Sequence, residues 1–261
     1  YLPTAFFMYL ISNSDRYILS MYSTLGAVGV YALAYKLGMV GTSLLMDPFS
    51  KVWAPFLFEN YNKDDGPAVI SKVFILFTLV NAGAALVIAV LSPLVLPLIS
   101  AKAYHGAYAI IPLICLASIF YNMTCIVDAG ILISKKTYYK PMIFGVSALV
   151  GLGLNFLLVP RYGEMGAAAS LTGTFFTLFI ITHAVSNRFF EISIEARKMF
   201  LIFASSLATY FISFYLIRLA GPSGAMKALS ALSLLCFPAI LWAGGAFSEN
   251  EKKAIRRLFA R

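Results

Sequence analysis

Val73-Phe74-Ile75-Leu76-Phe77, inside the stretch 70–92, shows no alternation of polar and apolar residues. A strand of a membrane barrel alternates over about ten residues. An unbroken apolar run instead buries every side of a helix, and lipid is the solvent that allows it. Only helices and closed barrels satisfy their backbone polar groups in hydrocarbon, so this stretch reads as a spanning helix. A core of about 30 Å takes roughly 20 helical residues. That ruler marks eight spans along the chain: 2–22, 27–48, 70–92, 107–133, 142–159, 166–187, 199–219 and 226–246. The fold class is all-α, a polytopic transmembrane bundle.

Composition agrees. Of 261 residues, 61% are hydrophobic and 12% charged, against about 45–50% and about 25% in soluble domains. Breaker residues set the predicted limits. Pro93 and Pro97 end the third span, Asp47-Pro48 the second, and Pro160 the fifth, which Pro141 opens. Pro112 and Pro238 fall inside spans and predict kinks. Cys115, Cys125 and Cys236 all lie in apolar runs and read as free thiols. Tyr1 has no start methionine or signal peptide before it and already lies in a helical pattern. The chain therefore reads as a fragment whose beginning is missing.

The formal charge of +9 reflects topology rather than nucleic acid. Loops on one side carry fourteen Lys and Arg, those on the other side four. Basic loops stay cytoplasmic, so both ends of the chain are expected inside. Ser248 and Glu251 have the spacing of a capping box, so a basic amphipathic tail helix is expected there, lying on anionic membrane lipids. Phe189 to Met199 reads as a second, less regular interfacial helix.

Charged residues inside spans are the functional signal. Asn13-Ser14-Asp15-Arg16 lies in the first span and Tyr35-Lys36 in the second. Counted from a turn near Leu25, Asp15 and Lys36 are each about 15 Å from the outer end. A charge facing lipid there costs about 2.5–3.5 kcal/mol, so the group is expected to face a wet interior. Asp15 and Arg16 are adjacent and do not face each other, so one of them is expected to meet Lys36 across the hairpin. The net +1 suits an anionic substrate group, with Arg16 able to bind phosphate bidentately. Asp128 reads as a bond to a neighbouring helix, with a cavity or ion-coupling role as the alternative. Asn81, Asn122 and Asn155 read as interhelical glue. His183 reads as a solvated residue near the end of its span. The small residues from Gly163 through Ala167-Ala168-Ala169-Ser170 to Gly173 predict close backbone approach. No metal-ligand spacing, catalytic constellation or cofactor motif appears.

The stretches 13–19 and 28–37 resemble the start of the second half of bacterial polysaccharide (O-antigen type) flippases. Asn155 to Gly163, with Gly166-Ala167-Ala168, is similar to the wider multidrug, oligosaccharidyl-lipid and polysaccharide exporter superfamily. The resemblance covers about residues 10 to 175. It implies a fourteen-helix protein, with residues 1–188 as the second six-helix lobe, 189–246 as a terminal hairpin and 247–261 as the basic tail. It also implies a partner lobe preceding this chain and a V-shaped cavity in the bacterial inner membrane. The implied cargo is an undecaprenyl-diphosphate-linked oligosaccharide, met by Arg16, Lys36 and Asp15, with Asn13, Tyr35 and Asp128 as further cavity candidates. Two other functions compete. A cation-coupled drug or metabolite antiporter would favour intramembrane carboxylates over a net cationic cleft. A membrane glycosyltransferase would need positioned acid–base residues and large outer loops, and neither is present, so no enzyme is expected.

Overall fold

The computed structural model describes residues 2–220 and 232–245, and every regular element among them is helical. In chain order these are α1 (Leu2–Tyr22), α2 (Leu25–Asn60), α3 (Gly66–Ile99), α4 (Ile111–Val127), α5 (Ala129–Ile133), α6 (Tyr139–Ser186), α7 (Ala196–Ala220) and α8 (Cys236–Ala243). Tight 3-10 segments cover Lys102–Ala109 and Leu232–Leu235. The chain forms two compact units, Tyr1–Ser193 and Ile194–Arg261. In the first, α1 packs along α6, α6 on α4, and α4 on both α2 and α3. In the second, α7 packs on α8.

Four elements are long and apolar enough to cross a membrane: Gly66–Ile99, Ile111–Ile133, Tyr139–Ser186 and Ala196–Arg218. A fifth is the bent pair Leu25–Met39 and Thr42–Asn60, which meet at 41°. Their outer faces carry large bare side chains: Leu98 is 84% exposed, Leu149 70% and Phe200 71%. Apolar surface on this scale needs a second apolar phase. Helix length, composition and exposed face together are those of a multi-pass membrane protein.

Length alone hides a reversal in α6. As one straight rod its 48 residues would run about 72 Å. Gly163 interrupts it with φ 55° and ψ −132°. A Cβ on Gly151 would lie 2.6 Å from Thr174 Oγ1, and one on Gly173 would lie 2.8 Å from Leu154 Cδ1. Residues so far apart in sequence touch only if the chain doubles back. α6 is therefore two antiparallel limbs, 139–162 and 164–186, joined at Gly163. They fall on the expected spans 142–159 and 166–187. The small residues let the limbs close: Gly166, Ala167, Ala168 and Ser170 are all buried, and a Cβ on Gly166 would sit 2.3 Å from the Leu158 carbonyl.

Several expected boundaries are overturned. Pro93 and Pro97 do not end α3, which runs on to Ile99. A proline removes one N–H and frees the carbonyl four residues earlier. For Pro93 that carbonyl belongs to Ala89, and the Ser92 hydroxyl donates to it at 2.9 Å. Asp47-Pro48 likewise lies within α2, which continues past Pro55 to Asn60. The bend comes earlier, where Thr42 Oγ1 donates to the Met39 carbonyl at 2.9 Å, a back-bond that bends helices. Pro160 also lies inside its helix, and Gly163 makes the turn. Pro112 and Pro238 fall in the first turns of α4 and α8, where an N–H is unsatisfied anyway, so they start helices rather than kink them. The expected span 107–133 begins instead at Ile111 and breaks at Asp128. No helix covers Phe189; residues 187–195 form turns and extended chain, and α7 starts at Ala196. The expected tail helix with its Ser248 cap, and both ends of the expected span 226–246, lie outside the described residues.

Candidate functional site

Two polar clusters lie inside the first unit. The first sits where α1 meets α2. Ser23 and Thr24 reverse the chain, and the Thr24 hydroxyl caps α2 by accepting the Ala27 amide at 3.2 Å. The turn brings the Tyr31 and Tyr35 face of α2, spaced i and i+4, against the polar middle of α1.

Asp15 and Tyr31 are both 0% exposed. The Tyr31 hydroxyl donates to Asp15 Oδ2, and the Arg16 backbone amide donates to Asp15 Oδ1 at 2.7 Å. Both carboxylate oxygens are thus occupied without a cation. The Arg16 side chain turns elsewhere. Its Nη1 donates to the Ser12 carbonyl at 3.1 Å and to Asn13 Oδ1 at 3.4 Å. Its Cζ lies 4.2 Å from the centre of the Tyr35 ring. Such a cation–π contact is worth about 0.5–2 kcal/mol. It holds the guanidinium plane, and among the described residues no carboxylate oxygen comes within ion-pair distance of it. Asn13 in turn anchors itself by donating to the Tyr9 carbonyl at 2.9 Å.

Four of the expected residues therefore come together: Asn13, Asp15, Arg16 and Tyr35. Lys36 does not join them. It is exposed and lines a groove of about 530 Å³ between α2 and α3, with Leu33, Leu37, Val87, Leu91 and Val95 among its walls. The expected pairing of Asp15 or Arg16 with Lys36 is corrected: the Tyr31 hydroxyl takes the place across the hairpin that a cation was expected to fill. The physical reason is rotation. Tyr35 and Lys36 are neighbours, so they point about 100° apart on the helix, and only one can face α1. Along the helices, Arg16 lies six residues before the end of α1 and Lys36 eleven after the start of α2. Those offsets are about 9 Å and 16 Å along the two helix axes.

The second cluster surrounds Asp128, which separates α4 from α5. Lys140, at the start of α6, donates through Nζ to Asp128 Oδ2 at 2.6 Å. This agrees with the reading of Asp128 as a bond to a neighbouring helix. Asp128 Oδ1 is buried without a partner among the described residues. The break beside it lets backbones approach. The Gly130 amide donates to Ser186 Oγ at 2.8 Å, and a Cβ on Gly130 would lie 2.2 Å from the Ser186 carbonyl. A cavity of about 280 Å³ opens here, with Thr4, Tyr121, Thr124, Asp128, Lys140 and Thr182 on its walls.

Of the remaining polar residues, Asn122 Nδ2 donates to Asn81 Oδ1 at 2.8 Å, which is the expected interhelical bond. Asn155 Oδ1 is buried without a partner among the described residues, so no such bond is seen there. His183 is half-buried, stacked at 6.2 Å on Phe179, with Nδ1 shielded from solvent and the rest of the residue partly exposed. All three cysteines are free.

Sequence reasoning missed Tyr31, Lys140 and Thr182. Tyr31 had a signal, the Tyr31/Tyr35 spacing facing a polar stretch across a short hairpin. Lys140 was assigned to a loop by its charge. Thr182 carries no signal, because threonine is common in membrane helices. No known family, curated protein or solved structure matches this chain.

Proposed function

We propose that this chain is the second lobe of a flippase that moves an undecaprenyl-diphosphate-linked oligosaccharide across the bacterial inner membrane, with its C-terminus cytoplasmic. In this reading eight segments span the lipid. They are α1, bent α2, α3, α4 with α5, the two limbs of α6, α7, and a last span containing α8. The partner is a first lobe of the same protein, and the cavity lies between the two.

One observation carries the reading. Arg16 sits in the middle of α1, half-buried, oriented by Tyr35 and two oxygen acceptors, and among the described residues no carboxylate oxygen lies within ion-pair distance of its side chain. Asp15, the obvious counter-ion, is occupied by Tyr31 and a backbone amide. In a spanning α1, a held guanidinium with no carboxylate at ion-pair distance is costly unless an anion uses it. Phosphate is its best geometric match. Lys36, exposed and without an ion pair among the described residues, lines an apolar groove, which suits a cargo with both charge and hydrocarbon. A diphosphate cannot cross hydrocarbon bare, because desolvating its charge is prohibitive. Rocking two lobes about a cationic cleft exposes it to each side in turn.

The test is surface glycan in cells carrying Arg16→Ala, Arg16→Lys or Lys36→Ala in the full-length protein, with membrane insertion measured in parallel. Arg16→Ala and Lys36→Ala should each reduce surface glycan with normal insertion. Arg16→Lys should fall between, because it keeps charge and loses the planar fork. Normal export in both alanine variants removes the cationic-cleft mechanism.

A further inference from the structure

At one end of the first unit two turns lie side by side. Residues 134–138 join α5 to α6, and residues 187–193 follow the end of α6. Both are firmly held. The Gly130 amide donates to Ser186 Oγ at 2.8 Å, and a Cβ on Gly130 would lie 3.0 Å from the Phe190 amide nitrogen. Lys135 follows α5 in the left-handed region, at φ 57°, and the Lys136 amide donates back to the Ile131 carbonyl at 3.1 Å, a closing motif that usually takes glycine. Across the second turn, Asn187 Oδ1 accepts the Ile192 amide at 2.8 Å.

Three cations and three aromatic rings share this surface. Lys135 and Arg188 are exposed, and Lys136 is half-buried. Lys136 Nζ lies 4.2 Å from the centre of the Phe189 ring. Phe189 packs on Tyr139 at 5.7 Å, and Tyr139 stacks on Tyr138 at 4.5 Å. The cation–π contact fixes the Lys136 ammonium and leaves its N–H groups able to donate. Other cations of this unit have acidic neighbours: Lys63 lies 3.9 Å from Glu59, and Lys140 turns inward to Asp128. Among the described residues no carboxylate oxygen, that of Glu191 included, lies within ion-pair distance of Lys135, Lys136 or Arg188. Like charges on adjoining turns repel unless an anion sits among them.

Both turns fall where apolar helices end, which in a multi-pass membrane protein is the level of the lipid headgroups. Tyr138, 58% exposed, is the kind of ring that settles there. We propose that these adjoining turns form a binding site for the headgroup phosphate of an anionic phospholipid. Lys136, positioned by Phe189, is the fixed donor. Lys135 and Arg188, next in sequence to that contacting pair, add charge, and the Tyr138–Tyr139 shelf packs beside the lipid. Basic side chains at this level draw in anionic lipids; here the aromatic contact turns a general attraction into a defined site. A zwitterionic headgroup carries its own cation beside the phosphate and gains less. The site does not depend on the flippase reading, because Arg16 and Lys36 take no part in it.

The test uses the full chain purified in detergent. Short-chain phosphatidylglycerol, phosphatidylcholine with the same chains, and inorganic phosphate are titrated in turn, and heat stability against concentration gives an apparent Kd. Phosphatidylglycerol should stabilise saturably and more strongly than phosphatidylcholine. Lys136→Gln should weaken phosphatidylglycerol binding about fivefold, the value of one cation near an anionic surface. Phe189→Leu changes no charge but frees Lys136, and should weaken binding about two- to fivefold; Phe189→Tyr keeps a ring and should bind as the native protein does. Lys63→Gln, whose charge Glu59 already matches, should have little effect. Lys136→Gln lies on a turn and keeps the test open if Phe189→Leu fails to fold. Equal responses to the two lipids, or native binding by Lys136→Gln, overturn the site. Native binding by Phe189→Leu overturns it too, because charge density alone then accounts for the attraction. Saturation by inorganic phosphate that removes the lipid response reassigns the turns to free phosphate and overturns the lipid site.

Discussion

Replacing Gly163 by alanine isolates the cost of the turn that divides α6. A Cβ at Gly163 would meet nothing within 4 Å, so no contact is lost and no clash is made. What changes is the backbone. Gly163 has φ 55° and ψ −132°, outside the ordinary left-handed well near ψ +47°. Such sparsely populated conformations cost a residue with a Cβ about 1–3 kcal/mol. Gly153 supplies the control. It too has nothing within 4 Å of a built Cβ, but it lies within a helical limb at ordinary φ. There alanine should stabilise by about 0.5–1 kcal/mol. The same chemical change in equally open space should therefore act with opposite sign, the two variants differing by about 1.5–4 kcal/mol. Thermal unfolding of detergent-purified protein reads this directly, with Gly163→Ala melting below the native protein and Gly153→Ala at or above it. If Gly163→Ala is as stable as Gly153→Ala, the chain does not reverse through a positive φ at Gly163, and the two-limb account of α6 fails.

Tyr31→Phe removes the one side-chain donor that a fully buried carboxylate has among the described residues and should cost about 1–3 kcal/mol, measured by the same unfolding assay. Tyr22→Phe, on the exposed end of α1, should cost nothing measurable. Gly130→Ala places a methyl 2.2 Å from the Ser186 carbonyl; overpacking of this kind should destabilise by about 1–3 kcal/mol. Combining it with Ser186→Ala should not restore stability, because the clash is with backbone.

Residue by residue, the helical class was readable because lipid leaves the backbone no alternative. The run at 73–77 needed no partner to be assigned. The halves of α6 were readable for a similar reason: Gly163 and the small residues after it mark a place where only glycine geometry and close packing work. Prolines misled. Pro93 and Pro97 read as stops, yet α3 passes through both, and at Pro93 the Ser92 hydroxyl supplies the donor that the proline lacks. That remedy is a side-chain rotamer, which no local pattern reports. The first cluster was half legible. Charges inside spans announced Asp15, Arg16 and Lys36, but not which of them would meet.

Chain chemistry alone determined that residues such as Phe74 and Leu76 need an apolar surround, that helices are the form they take, and that ionisable groups within spans need a special setting. These follow from solvation, a property each residue carries with it. Tertiary structure decided the partners. Helix rotation turns Tyr35 toward Arg16 and Lys36 toward α3, Tyr31 reaches Asp15 from sixteen residues away, and the break at Asp128 brings Lys140 and Thr182 to one cavity. Direction around a helix axis is set by how neighbouring helices pack, and a linear pattern records the rows of side chains but not which neighbour each row will meet.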